Sequence, residues 1–268
     1  MPAVQLSRLA QQIDVLVWQF TRPADFITRV RDLFDLYADR VYRAGQAVPP
    51  ASMANAYHVP ALVMRQLEIE LRPPCKQHPV AALLLVDALW AESMLEFKLL
   101  ATDLLGSIPL NPPDPVLERL RSFARAGIDT QVLDALLNFG GRGLRQEMPV
   151  RWIELVEGWA NDSSLSQHAV ALRTIIITAQ DEGFDNLPPL YRIFSALLQE
   201  GATSLQAELQ TTLLALLKRS PKETVYLLRQ VLSLSSKPTT QRLVRLSLSH
   251  VPPEYQASLR QSLQSTTD

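Results

Sequence analysis

The sequence predicts an all-α fold, and three features of its composition and pattern support this prediction. Glycine is scarce, with 9 residues among 268, whereas proline is common, with 19. This balance suits helices that begin and end near proline, and it does not suit the glycine-rich turns of a large β-sheet. Apolar residues recur three and four positions apart, as Leu213, Leu214 and Leu217 do, which is the spacing of one helix face. The best candidate for a strand, residues 174–178, lies inside a longer helical pattern.

The first element is a helical hairpin, predicted over about residues 4–44 from its apolar spacing. A long irregular stretch from Gly45 to Tyr57 follows, and we interpret it as a hinge. The expected domain organisation is therefore an N-terminal helical hairpin, residues 1–50, packed on a main body, residues 51–268.

Capping signals mark the helices that come next. The segment Ser93–Glu96 has the pattern of a capping box, in which the serine hydroxyl and the glutamate carboxylate each bind the other's backbone N–H. The helix that it begins is expected to end near Leu105, before Gly106. The segment Ser220–Glu223 is a second capping box, with proline at the first helical position. Asp114-Pro115 likewise predicts a capping residue followed by proline at a helix start.

Similar helix starts recur along the main body at intervals of about 33–40 residues, which is the period of two-helix repeats. They lie near Pro60, Ser93, Thr130, Ser164, Ser204 and Thr239. One such pair cannot bury both of its faces, so stacking must supply the core and leaves a curved groove. We therefore expect a helical repeat solenoid, an α-α superhelix of about fourteen helices in antiparallel pairs. A globular helical bundle is the alternative.

Composition also narrows the class of protein. The longest apolar stretch, Val80–Val86, is much shorter than the roughly 20 residues of a membrane-spanning helix, and no secretory signal is evident. Cys75, the one cysteine, excludes a disulfide framework within the chain and is expected in a loop near Pro73 and Pro79. The four histidines include no pair with metal-ligand spacing. We therefore expect a cytoplasmic protein with no membrane association, no metal and no cofactor.

Four segments carry a resemblance to a known family. They are His58–Arg65, Leu89–Leu105, Trp159 with the following Ser163–Ala169, and Leu217–Glu223. Over about residues 55–235 the chain resembles the DNA alkylation repair family of the AlkD type. The resemblance implies a HEAT-like (armadillo-type) repeat fold, double-stranded DNA as the partner, and N-glycosylase removal of cationic alkylated purines.

The same resemblance implies one candidate catalytic residue. The family uses a tryptophan, an aspartate four residues later and an arginine on a later helix, which together stabilise positive charge on the sugar and hold phosphate. In this chain the tryptophan position falls on Thr130, the aspartate position on Asp134, and the arginine pair on Gln167 and His168. Asp134 is thus the candidate that remains, and little base excision is expected.

Candidate DNA contacts come from basic residues in two regions. The segment Phe139–Arg145 is the one glycine-dense stretch; it lacks a Walker ending, so it is either an inter-helix turn or a phosphate clamp. Residues 201–268 hold four acids and eight bases, net +4, whereas residues 101–200 hold thirteen acids and eight bases, net −5. The expected DNA-binding residues are Arg142, Arg145, Arg151, Lys218, Arg219 and Lys222.

These observations favour a DNA-binding protein of the alkylation-repair type in which catalysis is largely lost. The alternative is a non-catalytic helical-repeat scaffold that holds a protein partner in its concave groove, and a third reading is an N-glycosylase that uses other residues. The four tryptophans are expected to fill the core rather than to stack on bases.

Overall fold

The computed structural model describes residues 5–39, 55–125, 127–234 and 237–264. Within these ranges the chain forms fifteen α-helices, a π-helical turn and two short 3-10 turns, and it forms no β-strand. The predicted all-α fold is therefore confirmed. The helices are α1 (Leu6–Trp18), α2 (Pro23–Tyr37), α3 (Ala61–Gln77), α4 (Pro79–Ala91), α5 (Leu95–Leu105), α6 (Asp114–Phe123), α7 (Thr130–Ala135), α8 (Arg142–Glu147), α9 (Pro149–Ala160), α10 (Leu165–Gln180), α11 (Pro188–Glu200), α12 (Gln206–Arg219), α13 (Pro221–Leu234), α14 (Pro238–Ser247) and α15 (Pro253–Gln264).

Proline marks the beginning of many of these helices, as the sequence predicts. Eight of the fifteen described helices have proline at their first or second position, where its missing N–H removes no intrahelical hydrogen bond. At the predicted start near Thr130, the carboxylate of Asp129 accepts from the backbone N–H of Gln131 at 2.9 Å and of Val132 at 3.4 Å. At the start of α13, the Ser220 hydroxyl donates to the Glu223 carboxylate. Proline thus marks many of the described helix starts, and a side-chain cap marks the start of α7.

The chain divides into two compact units, Met1–Gly143 and Leu144–Asp268. In the first unit α1 contacts α2 and α3, α2 contacts α4, α3 contacts α4 and α5, and α5 contacts α7. In the second unit each helix from α9 to α13 contacts the next but one. Neighbours in sequence also touch in the pairs α9–α10, α10–α11, α12–α13 and α13–α14. Within each unit this contact order is consistent with stacked helical hairpins. The superhelical form itself stays a prediction, and the predicted domain boundary near residue 50 lies outside the described residues.

The cores of both units are built from apolar and aromatic side chains. In the first unit the ring of Phe34 meets that of Phe97 edge-on at 5.2 Å, and Trp90 stacks on Phe123 at 4.1 Å. In the second unit Trp152 is fully buried, and its indole N–H donates to the Thr178 hydroxyl at 3.0 Å. A buried tryptophan of this kind satisfies its one polar group and keeps its large apolar area in the core.

One tryptophan and the cysteine depart from the sequence expectations. Trp90, Trp152 and Trp159 are buried as predicted, but Trp18 is 87% exposed. Cys75 lies within helix α3 rather than in a loop, and it is fully buried. The helix continues through Pro73 and Pro74, although proline disfavours a helix interior. Leu71 and Cys75, four positions apart, are both buried, so tertiary packing outweighs the local helix propensity here. Burial, followed by the charge of Asp103, raises the pKa of the Cys75 thiol to about 12, so it is not a nucleophile.

The capping box predicted at Ser93–Glu96 is absent. Helix α5 begins at Leu95, its N-cap residue is Met94, and no side chain caps it. The buried carboxylate of Glu96 instead accepts hydrogen bonds from three successive backbone N–H groups, those of residues 57–59, at 3.0, 2.7 and 3.4 Å. We call this arrangement the Glu96 nest. It joins the segment before α3 to α5, and His58 within it adopts the left-handed conformation with φ of 55°.

Candidate functional site

A π-helical turn, Leu136–Gly140, separates α7 from α8 and forms the centre of the candidate site in the first unit. The N–H of Gly141 donates to the carbonyl of Leu136 at 3.0 Å, which is the five-residue hydrogen bond of this geometry. Glycine makes the turn possible, because a Cβ at Gly106 would lie 2.0 Å from the carbonyl oxygen of Phe139. The end of α5 therefore lies directly against the backbone of the turn. Such π-helical insertions occur frequently at functional sites.

The turn aligns three polar side chains along one face. Asp134, Asn138 and Arg142 follow each other at intervals of four residues. A π-helical turn contains more residues than the 3.6 of an α-helical turn. Side chains four residues apart therefore point in more similar directions around the helix axis. Asp134 is partly buried, and Asn138 and Arg142 are exposed. The structure thus places the predicted carboxylate and one predicted DNA-binding arginine on the same stripe.

Phe139 lies beside this stripe, and 53% of the residue is exposed. The sequence pattern favoured an inter-helix turn or clamp for the glycine-dense stretch and did not single out an exposed ring. The structure shows that the stretch is helical, with the ring presented by the π-helical turn next to Arg142. Thr130, which the resemblance aligned with a tryptophan, offers no aromatic face, whereas Phe139 presents an exposed aromatic side chain in this segment.

Arg145 lies in the core of the second unit, and only 7% of it is exposed. Its Nε donates to the Asp181 carboxylate at 3.0 Å, and its guanidinium lies 5.4 Å from the ring centre of Trp152. Contact with phosphate would require this ion pair to break. The geometry therefore gives no support to the expected DNA contact of Arg145, and its role here is structural.

The other predicted basic residues differ in how far they are engaged within the fold. Arg219 donates to the carbonyl oxygens of Glu182 at 3.2 Å and Phe184 at 3.0 Å, beyond the end of α10. Arg151 pairs with Glu154 on the same helix at 3.0 Å. By contrast Lys218, Lys222 and Arg142 are exposed, and none of these three forms a hydrogen bond or ion pair within the described ranges.

Of the two residues that the resemblance aligned with an arginine pair, His168 serves the fold. His168 is buried, and its Nε2 donates to the carbonyl of Asp162 at 2.7 Å, since a carbonyl can only accept. Its Nδ1 lies 3.3 Å from a carboxylate oxygen of Glu200. The imidazole therefore holds the turn before α10, and Gln167 and His168 supply no guanidinium for phosphate.

A groove of about 880 Å³ lies between α11 and α13 in the second unit. Tyr191 forms part of its wall, with its hydroxyl 3.4 Å from the carbonyl of Ser220 and 3.3 Å from the Thr224 hydroxyl, and burial raises its pKa. Tyr226, 70% exposed, lines the groove as well. No local sequence pattern indicates this groove, because it depends on the packing of two helices whose first residues lie 33 positions apart in the chain.

A polar cluster joins α3 to α5 in the first unit. The guanidinium of Arg72 binds Asp103 with both ends of its fork, at 2.8 and 3.4 Å. Glu68 lies one turn before Arg72 on the same helix. Burial and the nearby charge of Asp103 raise the pKa of Glu68 to about 7, although Arg72 and Arg65 oppose the change. A carboxyl group that protonates near neutrality makes stability depend on pH.

Glu68→Gln is expected to stabilise the protein at pH 8 and to leave it nearly unchanged at pH 5. The pKa of Glu68 is about 7 in the folded state and near 4.5 in the unfolded state, so the folded state holds the proton more tightly. The free energy of unfolding of the wild type is therefore highest below pH 4.5, and it falls as pH rises through about 7. The gain stays below about 1.36 kcal/mol per pKa unit, because Glu68 is partly exposed and screened. Urea unfolding at both pH values measures it. Glu118→Gln, at an exposed position on α6, is the control, and an equal gain there would contradict the assignment.

Comparison of the chain with models of known families, with curated proteins and with solved structures found no match. In the described parts of the chain no helix has the length and apolar character needed to cross a bilayer. The same residues contain no group of three or more histidine, cysteine, aspartate or glutamate side chains placed to hold a metal ion.

Proposed function

We propose that the protein binds double-stranded DNA without excising bases, through the face that carries Asn138, Phe139 and Arg142. The observation that supports this proposal best is the exposed ring of Phe139 beside the exposed Arg142, whose guanidinium has no partner within the described residues. A guanidinium binds phosphate, and an exposed aromatic ring packs on a sugar or an accessible base. The resemblance to the alkylation repair family points to the same class of ligand.

Exposed cations of the second unit supply further phosphate contacts in this proposal. Lys218 at the end of α12 and Lys222 at the start of α13 both project into solvent. Their attraction for DNA does not depend on base sequence, so binding should be weakly selective and sensitive to salt. Arg145 and Arg219 are not part of the proposal, because their bonds within the fold already occupy them.

Duplex affinity is expected to fall in Arg142→Ala and in Phe139→Ala. Loss of one phosphate contact reduces the slope of log affinity against log salt by about 0.9. Loss of one stacked aromatic costs about 1–3 kcal/mol. Fluorescence anisotropy of a labelled duplex at low and moderate salt measures both effects. Arg8→Ala removes the same charge from an exposed position on α1 and is the matched control. Absence of duplex binding even at low salt would overturn the proposal.

Base release from alkylated duplex DNA is expected to be negligible. The chain has no aromatic residue at position 130 and no arginine at positions 167 and 168. Each lost electrostatic interaction of this type costs about 10²–10³ in rate. Release of N7- and N3-methylpurines, followed by chromatography, measures the activity. Robust release that Asp134→Asn abolishes would show instead that Asp134 is catalytic.

A scaffold that holds a protein partner is the second candidate function, and the α11–α13 groove favours it. The groove combines the exposed Tyr226 and the buried Leu227 with charges of both signs, from Arg192 and Glu223 among others. Mixed aromatic and polar walls of this kind suit an amphipathic helix of a partner. This candidate takes precedence if duplex binding is absent at low salt.

A further inference from the structure

Trp18 is the last residue of α1, and it exposes far more of its surface than the other three tryptophans. A large aromatic side chain left in water forgoes the stabilisation that burial supplies. Single exposed apolar residues are common on proteins, so exposure alone does not define a site. In this case a cavity lies next to the ring.

The cavity has a volume of about 500 Å³ and lies between the ends of α1 and α3 in the first unit. Val17, Pro73 and Pro74 form apolar walls, and Trp18 lines the cavity from the end of α1. We call this cavity the Trp18 groove. Proline and valine surfaces of this kind suit the aliphatic part of a long side chain.

Charge in the Trp18 groove has one sign. Asp14 and Glu70 line it, and within the described residues no lysine or arginine does. Asp14 is exposed and lies four positions before Trp18, hence on the same helix face. Glu70 accepts one hydrogen bond, from the Gln66 amide at 3.0 Å, and a carboxylate has room for several more. The one other ionisable group along the lining of this cavity is the exposed imidazole of His78.

We propose that the Trp18 groove binds an arginine side chain presented by a partner protein. The planar guanidinium stacks on the indole, which attracts cations more strongly than other aromatic rings. Its N–H groups donate to the carboxylates of Asp14 and Glu70, and the aliphatic stem packs on the proline wall. The negative charge repels phosphate, so this surface takes a different ligand from the proposed DNA-binding face.

The test uses two labelled pentapeptides with the full-length protein. One carries a central arginine between two leucines, and the other carries citrulline, which has nearly the same shape and no charge. Anisotropy gives both affinities, and the indole N–H signal of Trp18 in a proton–nitrogen NMR spectrum locates the binding. We expect the arginine peptide to bind at least about tenfold more tightly than the citrulline peptide and to shift that signal.

Trp18→Ala and Asp14→Asn are each expected to weaken the arginine peptide about fivefold to tenfold. Both positions are exposed, and circular dichroism checks that the variants fold. Val80→Ala removes another exposed apolar side chain, on α4, and should leave the affinity unchanged. Equal affinity for the citrulline peptide, wild-type affinity in both groove variants, or no binding at millimolar peptide would each overturn the proposal. None of these results bears on duplex binding.

Discussion

Glu96→Ala is expected to destabilise the protein by about 3 kcal/mol, because it leaves three part-buried backbone N–H groups without this acceptor, each at a cost near the lower end of about 1–3 kcal/mol. The loss exceeds that of an ordinary helix cap, which is about 1 kcal/mol. Glu96→Gln keeps one acceptor oxygen and should have an intermediate effect. Unfolding in urea measures the free energy of each variant.

Ser93→Ala is the matched control for the Glu96 nest. The Ser93 side chain is exposed and caps no helix, so its removal should change stability by no more than about 0.5 kcal/mol. If instead Ser93→Ala and Glu96→Ala proved equally destabilising, the capping box would have to be restored and the Glu96 nest abandoned.

Arg145→Ala is expected to cost about 3–5 kcal/mol, because it leaves the carboxylate of Asp181 without its partner and removes the guanidinium that packs against Trp152. Combining it with Asp181→Asn should recover part of the loss, since no unpaired charge then remains. The measurement is again urea unfolding, compared across the single and double variants.

Arg142→Ala provides the contrast, since it removes the same charge three positions earlier, from an exposed position. Its effect on stability should stay within about 0.5 kcal/mol, while its effect on duplex affinity should be clear. If Arg145→Ala folded with wild-type stability and lost only DNA binding, the structural role of Arg145 would be wrong and the sequence expectation would stand.

The helix starts could be predicted because local chemistry determines them. Proline at the first turn and the carboxylate of Asp129 act on groups within three residues, and any short window of sequence contains both partners. The partners of Glu96 lie 37–39 residues earlier in the chain, so the same glutamate resembled a local cap when only its neighbours were considered.

The candidate site was predicted only in part, for a similar reason. Asp134 and Arg142 were identified by residue type and by resemblance, and the structure places them on one stripe. The exposure of Phe139 depends on one extra residue in a helical turn, which the close approach of Gly106 permits and which no signal at Phe139 itself indicates. Likewise, the burial of Arg145 depends on Asp181, 36 residues away.

The Glu96 nest also determines which substitutions the chain can accept over evolutionary time. Its donors belong to the main chain, so the hydrogen bonds do not depend on which side chains follow Tyr57, whereas no other amino acid reproduces both the length and the two acceptor oxygens of Glu96. At His58 the backbone sets the choice instead. A φ of 55° admits glycine, asparagine or aspartate readily and excludes β-branched residues. Neutral substitutions can therefore change the side chains of residues 57–59 while the backbone conformation of this segment is retained.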